Sequence, residues 1–478
     1  MSEFEPVIGL EVHLQLKTAT KIFCGCPNRF GEEPNTLVCP VCLGLPGSLP
    51  VLNQKALVYA IKIALALNCE INPFIKFDRK NYYYPDLPKG YQISQYDLPV
   101  GRGGWVLITL NGDRKKILIK RVHLEEDAGK LIHDSQGGCT LVDYNRTGTP
   151  LMEIVSEPDL ASSQEAYEYL IALKLTFQYL DVSDCDMEKG SLRVDANISL
   201  RKKGDSTLGT KTEIKNMNSF RAVKAALDFE ADRQKALLTA GERIVPETRL
   251  WDDAKGATQP MRSKEEAHDY RYFPEPDLVP FVVSPETVAQ IKNQLPELPA
   301  QKKERFLKQY QIPEYDARIL IQDKDLAGFF ENCSTLYSEI KKVSNWLIGP
   351  VLQELNARKL ALKDLGLKPR DLVHLIQKVD QEILSNLAAK EALRQMLDTG
   401  KTIEALVAEQ GLTQISDEAA LEAVLDEVIQ ENENAVRQIR QGKESAMGFL
   451  VGQAMRKTAG KANPKKIKEM IKRRFVHG

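Results

Sequence analysis

The sequence predicts an α+β fold that gives way to helices alone, and three observations carry that expectation. Over residues 1–292, short runs alternating apolar and polar residues dominate, the period-two signature of half-buried strands. Past Leu295-Pro296-Glu297-Leu298-Pro299 strand signals almost vanish and amphipathic helical patterns repeat. A second break, Gly411-Leu412-Thr413-Gln414-Ile415-Ser416, sets off a last helical segment. The expected domains are therefore 1–292, 293–405 and 406–478, which suits a 478-residue chain too long for one core.

The elements follow in order. Gln54 to Leu67 has helical spacing. Trp105–Leu110 and Ile117–Val122 are strand-like, and Asn111-Gly112 between them signals a hairpin. Ser163 to Leu180 predicts a helix capped by Ser162 or Ser163, and Ala222 to Leu238 another. In the helical part, Val351–Leu362 and Leu372–Leu387 read as amphipathic helices. Ser416 is the expected cap of a helix through Ile429. Asn463-Pro464 marks the start of the last helix, with Asn as cap and Pro at the first helical position.

Composition narrows the class. Hydrophobic residues make up 43% and charged residues 27%, as in a globular protein, and no stretch approaches the roughly 20 apolar residues of a membrane helix. The start, Met1-Ser2-Glu3-Phe4-Glu5-Pro6, is neither a secretory signal nor an Arg-rich transit peptide, so a reducing, cytoplasmic location is expected. The net charge of −1 hides an asymmetry. From Glu404 to Glu433 nine carboxylates occur with no Lys or Arg, whereas Lys443–Gly478 has ten Lys and Arg against two Glu, a net of +8. An acidic block followed by a basic tail suggests a partner with phosphates.

Four of the eight cysteines cluster: Cys24-Gly25-Cys26, then twelve residues, then Cys39-Pro40-Val41-Cys42. Two close pairs at this separation suit four thiolates around Zn²⁺ in a closed, structural site. Disulfides compete with this reading, although nothing points to an oxidising compartment. Cys69, Cys139, Cys185 and Cys333 are scattered and read as small hydrophobes.

The most informative run is Arg121-Val122-His123-Leu124-Glu125-Glu126-Asp127-Ala128-Gly129-Lys130. Three consecutive carboxylates repel one another unless cations hold them, and such a cluster suits Mg²⁺ and, through it, triphosphate oxygens. Strand spacing extends the pattern, because residues two apart share a face. Glu11 and His13, His123 and Glu125, Arg193, Asp195 and Asn197, and Lys211, Glu213 and Lys215 all follow it, with Val12, Leu124, Val194 and Ile214 turned toward a core. One such strand is equally a solvated face with cross-strand ion pairs. Four of them favour a curved sheet cradling a metal–nucleotide. A P-loop is absent: Gly204–Thr212 carries Thr210 where the motif needs Lys and reads as a hairpin turn. No dinucleotide fingerprint and no Gly-x-Ser-x-Gly elbow occur. Tyr-rich runs Asp78–Gln95 and Asp269–Asp277, with Arg and Lys beside the rings, could stack on bases or sugars, though Tyr is also a routine core-edge residue. The last helix groups Ile467, Met470, Ile471 and Phe475 against a basic remainder; nucleic-acid contact is favoured over a merely solvated or calmodulin-target-like helix.

The chain resembles the B subunits of the tRNA-dependent glutamyl/aspartyl-tRNA amidotransferases (GatB). The matching runs are Val7–His13, Asp78–Tyr82, Gly90–Gln95, Glu125–Lys130, Asn145–Val155, Asp195–Leu200, Asp269–Asp277 and Ala446–Gln453, spread over nearly the whole chain. The resemblance implies a glutamine-synthetase-like cradle domain with a twisted antiparallel sheet, followed by two all-α domains, the small tail domain contacting tRNA. It implies ATP-dependent activation of the side-chain carboxylate of misacylated Glu-tRNA(Gln) or Asp-tRNA(Asn), then amidation by ammonia from a partner. Partners would be an amidase subunit (GatA) and a small subunit (GatC) in a heterotrimer, with misacylated tRNA and no membrane. Cofactors would be ATP, Mg²⁺ and structural Zn²⁺. Glu11, His13, Glu125, Glu126 and Glu213 are the implied catalytic and Mg²⁺ residues, with Glu153 a further Mg²⁺ ligand. Lys89, Arg193, Asp195 and Lys215 are the implied ATP-binding residues, and Cys24, Cys26, Cys39 and Cys42 the zinc ligands. The rival expectations are a non-catalytic tRNA-positioning subunit and a free-standing ATP-dependent amine ligase.

Overall fold

Along Phe4–Gln15 the apolar residues Ile8, Leu10, Val12 and Leu14 are buried, while Gly9, Glu11, His13 and Gln15 between them are half-buried. That strand is the centre of a nine-stranded sheet in the computed structural model, which describes residues 3–134, 138–261, 269–410, 418–441, 443–458 and 462–475. The sheet strands in chain order are β1 (Phe4–Gln15), β2 (Glu70–Ile71), β3 (Gly101–Leu110), β4 (Asp113–Glu126), β5 (Pro150–Ser156), β6 (Leu192–Lys202), β7 (Thr212–Lys215), β8 (Glu247–Asp252) and β9 (Ala257–Pro260). Their spatial order is β9-β8-β7-β6-β1-β5-β4-β3-β2. Every pairing is antiparallel except β7 with β8.

Three helices cover the apolar face: α1 (Gln54–Ala66), α2 (Ser163–Leu180) and α3 (Phe220–Thr239). Each begins at a side chain that accepts from the first-turn amides. Asn53 takes Lys55 N at 2.9 Å, Ser162 takes Glu165 N at 3.2 Å, and Ser219 takes Ala222 N at 3.0 Å. Such caps are each worth about 1 kcal/mol. The β3–β4 hairpin turns at Asn111 (φ 53°) and Gly112 (φ 92°), the paired positive dihedrals that make Asn-Gly a hairpin signal. Residues Gly204–Thr212 link β6 to β7 as an antiparallel connection, not as a phosphate loop. The chain is mixed α and β, with a large mostly antiparallel sheet first and helices after it.

The described chain forms two units, 1–301 and 302–478. The second holds two apolar cores, one among residues 306–406 centred on Phe330, Leu347 and Leu375, the other among 421–471 centred on Leu450 and Ile471. Two expected helices prove to be divided. In place of Val351–Leu362 there is a π-helical turn, Leu347–Val351, then an α-helix Leu352–Arg358 that stops at Lys359 with φ 53°. Pro350 lacks the amide an α-helix needs, and the π turn accommodates it. In place of Leu372–Leu387, helix Pro369–Asp380 ends before Glu382 (φ 55°), and Ser385 caps a new helix, Asn386–Thr399. Periodicity missed the breaks because Ile383 and Leu384 continue the apolar pattern through the turn. The expected cap at Ser416 lies outside the described residues, and the helix there spans Glu418–Glu431. Asn463 caps the last helix as expected, accepting from Lys465 N at 3.0 Å and Lys466 N at 3.2 Å.

Candidate active site

The pleat that buries Leu10, Val12, Leu124, Met152 and Ile154 turns their neighbours to the other face. Register then decides which of them meet. His13 lies opposite Arg193 on one side and Glu153 on the other, and Glu153 lies opposite His123. In the next row Asp195 faces Glu11, and Glu11 faces Val155, which faces Arg121. Asn197 faces Glu213. The four charged sets of the sequence thus merge into one polar face.

At its centre, one ligand atom from each of His13, Glu125 and Glu153 lies within 4.8 Å of the others. His123 is buried between two carboxylates, 3.3 Å from Glu125 and 3.0 Å from Glu153. Burial disfavours its charge, but Glu153 and Glu125 outweigh that and raise the imidazole to about 9. The same charge holds Glu125 and Glu153 below the usual carboxylate range, despite their burial. Glu11 shifts the other way: burial, with Glu153 nearby, pushes its carboxyl up. An imidazolium and three carboxylates in so small a volume leave a negative surplus that a divalent cation would offset. Ligand type and spacing therefore fit a hard metal ion. Of eight buried side-chain polar atoms without a hydrogen-bond partner among the described residues, four sit on this face: Arg121 Nε, His123 Nδ1, Arg193 Nε and Asn197 Oδ1. Orphaned polar atoms are rare in folded interiors and mark places where something else completes the bonding.

Other expected residues are placed as follows. Arg193 Nη2 is 2.9 Å from Asp127 Oδ2, which also accepts from Gln15 at 2.8 Å. Lys215 bridges Asp195 at 3.0 Å and Glu213 at 3.1 Å. Glu11 accepts from Asn197 at 3.1 Å, and Glu213 accepts from Thr248 at 2.8 Å. Glu126 and Lys89 are not brought into the cluster. Consecutive strand residues point to opposite sides, so Glu126 turns away from Glu125, pairs with Lys89 and accepts from Ile93 N at 2.8 Å. The sequence marks Asp127 only as one of three adjacent carboxylates and Tyr272 only as part of a Tyr-rich run; folding is what brings them to this face.

The Tyr-rich runs fold over one end of the face. Asp78–Asn81, Tyr91–Ser94 and Phe273–Pro274 form a small antiparallel sheet. It is tied down where Ser94 donates to Glu125 at 2.9 Å and Gln95 accepts from Leu124 N at 2.9 Å. Tyr96 and Tyr272 stack at 4.4 Å, and Lys80 lies 4.7 Å from the Tyr270 ring. Beside this region, Cys24, Cys26, Cys39 and Cys42 have sulfurs within 4.8 Å of one another. The Cys24 thiol, the Cys39 amide (3.1 Å) and Lys21 (3.7 Å) bring Cys42 down to about 5, so one thiolate forms readily. Four such sulfurs could hold a metal. Among the described residues no helix is long and apolar enough to cross a membrane.

Residues 6–289 match the family described as the GatB/GatE catalytic domain, and 328–475 match the one described as the GatB domain. The polar face lies wholly within the first. Several aspartyl/glutamyl-tRNA(Asn/Gln) amidotransferase B subunits are similar to this chain over its full length. That of Thermodesulfovibrio yellowstonii is 55% identical, over 98% of this chain and 98% of its own. That of Thermoanaerobacter sp. (strain X514) is 54% identical, over 98% and 99%. That of Moorella thermoacetica is 53% identical, over 99% and 100%. With its polar sheet face inside one matched segment and most of its C-terminal helices inside the other, the chain belongs to the family of tRNA-dependent amidotransferase B subunits.

Proposed function

We propose that this chain is the subunit of an ATP-dependent amidotransferase that activates and amidates the side-chain carboxylate of misacylated Glu-tRNA(Gln), Asp-tRNA(Asn) or both. The observation that carries the reading is the His13–Glu125–Glu153 cluster, built on the sheet face of the segment that matches the catalytic family. A carboxylate is a poor acyl donor. Its oxygen attacks the γ-phosphorus of ATP, ADP leaves, and the acyl phosphate then loses phosphate as ammonia attacks the carbonyl carbon. His13, Glu125 and Glu153 would hold Mg²⁺, with Glu11 and Glu213 completing the acidic surround; the ion supplies charge to offset the phosphoryl oxygens. His123 fixes both carboxylates by hydrogen bonds, so the site is organised before substrate arrives. Arg193, Asp195 and Lys215 border the space left for nucleotide. Glu126 and Lys89, paired with one another, lie beside it. Cys24, Cys26, Cys39 and Cys42 would hold structural Zn²⁺.

The finer organisation belongs to the same reading. The sheet domain, 1–292, is a glutamine-synthetase-like cradle; 293–405 is a helical domain; 406–478 is the small tail that contacts tRNA. The partners are an amidase subunit (GatA), which supplies ammonia, and a small subunit (GatC). Conversion of Glu-tRNA(Gln) to Gln-tRNA(Gln) by the assembled complex, with ATP and ammonium chloride, tests the chemistry. Glu125→Gln is expected to lower the rate by about 10³-fold or more with the fold retained, as loss of a metal-holding or charge-stabilising group does. Unchanged activity would make this chain a positioning subunit instead.

A further inference from the structure

Among the described residues, the buried and half-buried cations on the sheet's polar face have acidic partners, apart from Arg121. His123 sits between Glu125 and Glu153, Arg193 holds Asp127, and Lys215 bridges Asp195 and Glu213. Arg121 stands two residues before His123 on β4, on the same face, and its backbone lies opposite Val155, itself opposite Glu11. Among the described residues its guanidinium has no carboxylate partner and no hydrogen bond, although its Nε is shut off from solvent. Across the other side of β4 it faces Arg102, a like charge. Like charges opposed and a buried donor unpaired are both costs to the folded chain. Among the described residues no direct partner offsets them, so the compensation is expected from a bound anion. The setting says which one. Arg121 shares the face of β4 with His123 and Glu125, and its charge acts on Tyr272 together with those of Glu125 and Glu153, so the guanidinium borders the His13–Glu125–Glu153 cluster.

We propose that Arg121 holds the phosphoryl group while it passes from ATP to the substrate's side-chain carboxylate. This rests on the reading that transfer occurs on this face. The carboxylate oxygen forms a bond to phosphorus, the bond from phosphorus to the bridging oxygen of ADP breaks, and charge spreads over three equatorial oxygens. A planar guanidinium offers paired donors to two such oxygens and keeps its proton throughout. Glu125 and Glu153 draw charge from the phosphoryl group through the ion they would hold; Arg121 contacts the group directly.

The test uses the assembled complex carrying Arg121→Met, Arg121→Lys or Glu125→Gln. Affinities for ADP alone and for ADP with planar fluoroaluminate, both with Mg²⁺, are measured by calorimetry, beside tRNA-dependent amidation with ammonium chloride. Arg121→Met is expected to leave ADP binding unchanged, to lose the preference for the fluoroaluminate complex, and to lower kcat about 10²–10³-fold. Arg121→Lys should recover part of both losses, since it keeps the charge and not the fork. Equal loss of affinity for ADP and for its fluoroaluminate complex would overturn the proposal, because the residue would then hold nucleotide and not the group in transfer. If Arg121→Met does not fold, Arg121→Lys decides alone: unchanged kcat and fluoroaluminate preference would overturn the proposal. Full activity of Glu125→Gln would overturn the underlying reading itself, a result separable from full activity of the Arg121 variants beside an inactive Glu125→Gln.

Discussion

The polar sheet face and the C-terminal helices both carry many charges, but at different cost. On the face, His123, Glu125 and Glu153 are 3%, 3% and 8% exposed. In the helical tail Arg473 and Glu418 pair at 2.9 Å with side chains 67% and 64% exposed, and Lys457 reaches Glu427 at 2.9 Å and Glu431 at 2.7 Å. Taking a charge out of water costs several kcal/mol, which a single partner rarely recovers, whereas exposed pairs contribute about 0–1 kcal/mol. The difference separates two uses of charge. Buried groups held rigidly in low dielectric act strongly on a reacting bond; exposed pairs exchange partners at little cost and suit contact with a phosphate backbone.

A third kind of charge sharpens the contrast. Glu230 on α3 is completely buried, yet fully bonded: Arg233 at 2.6 and 2.9 Å, Gln234 at 3.0 Å and Thr258 at 3.1 Å. It lies among the helices and strand ends rather than on the polar face. Glu230→Ala is expected to cost about 3 kcal/mol in urea unfolding, because Arg233 and Arg249 would be left to share Glu247 as their one carboxylate partner among the described residues. Amidation per folded molecule should not change. Loss of kcat comparable to that of Glu125→Gln would break the distinction between buried charge for structure and buried charge for chemistry.

The next effect is smaller and local. Gly44 has φ 67°, and a Cβ there would sit 2.1 Å from Lys89 Cγ. Gly44→Ala is expected to destabilise the chain by about 1–3 kcal/mol, from positive-φ strain and displacement of the Lys89 stem. If Cys24, Cys26, Cys39 and Cys42 hold Zn²⁺ as proposed, its retention, read by a chromophoric chelator, should weaken as well, since Cys42 lies two residues away. Retention at the wild-type level with stability unchanged would show that Lys89 moves aside freely.

Much of this face was legible because a strand's side-chain period is two. Glu11 with His13, and Arg193 with Asp195 and Asn197, needed only that alternation, and Asn111-Gly112, Ser162 and Asn463 needed only local turn and cap chemistry. Register was not legible. No local feature of the sequence says that β1 lies between β5 and β6, and so none says that Glu153 meets both His13 and His123. The surroundings of Glu126 were hidden for a related reason: three adjacent carboxylates suggest one cluster, but the pleat sends alternate residues to opposite sides, and Glu126 pairs with Lys89. The interrupted helices at Lys359 and Glu382 were hidden because a buried turn keeps its apolar residues in helical spacing. The pairing of the tail's cations with the acidic helix was hidden too, because composition shows how many charges there are and not which ones meet.

That pairing supplies the smallest effect and the closest test of the contrast. Arg473 reaches Glu418 and Glu422, and Arg474 pairs with Asp426, so part of the basic tail is already neutralised by Glu418–Glu431. Lys468 and Lys472, which line an open cleft of about 370 Å³ with Met447 and Val451, have no acidic partner among the described residues. If the tail meets tRNA, phosphates would find these lysines ready and would compete with carboxylates for the two arginines. Substituting Glu418→Gln, Glu422→Gln and Asp426→Asn together is expected to change stability by less than about 1 kcal/mol, since the pairs are exposed. Affinity for tRNA should rise, and the slope of log affinity against log salt should steepen by about 1.5–2, because two more cations contact phosphate in place of carboxylate. An unchanged slope would mean that Arg473 and Arg474 never face the RNA and serve only to hold the last helix against the acidic one, leaving Lys468 and Lys472 to carry the contact.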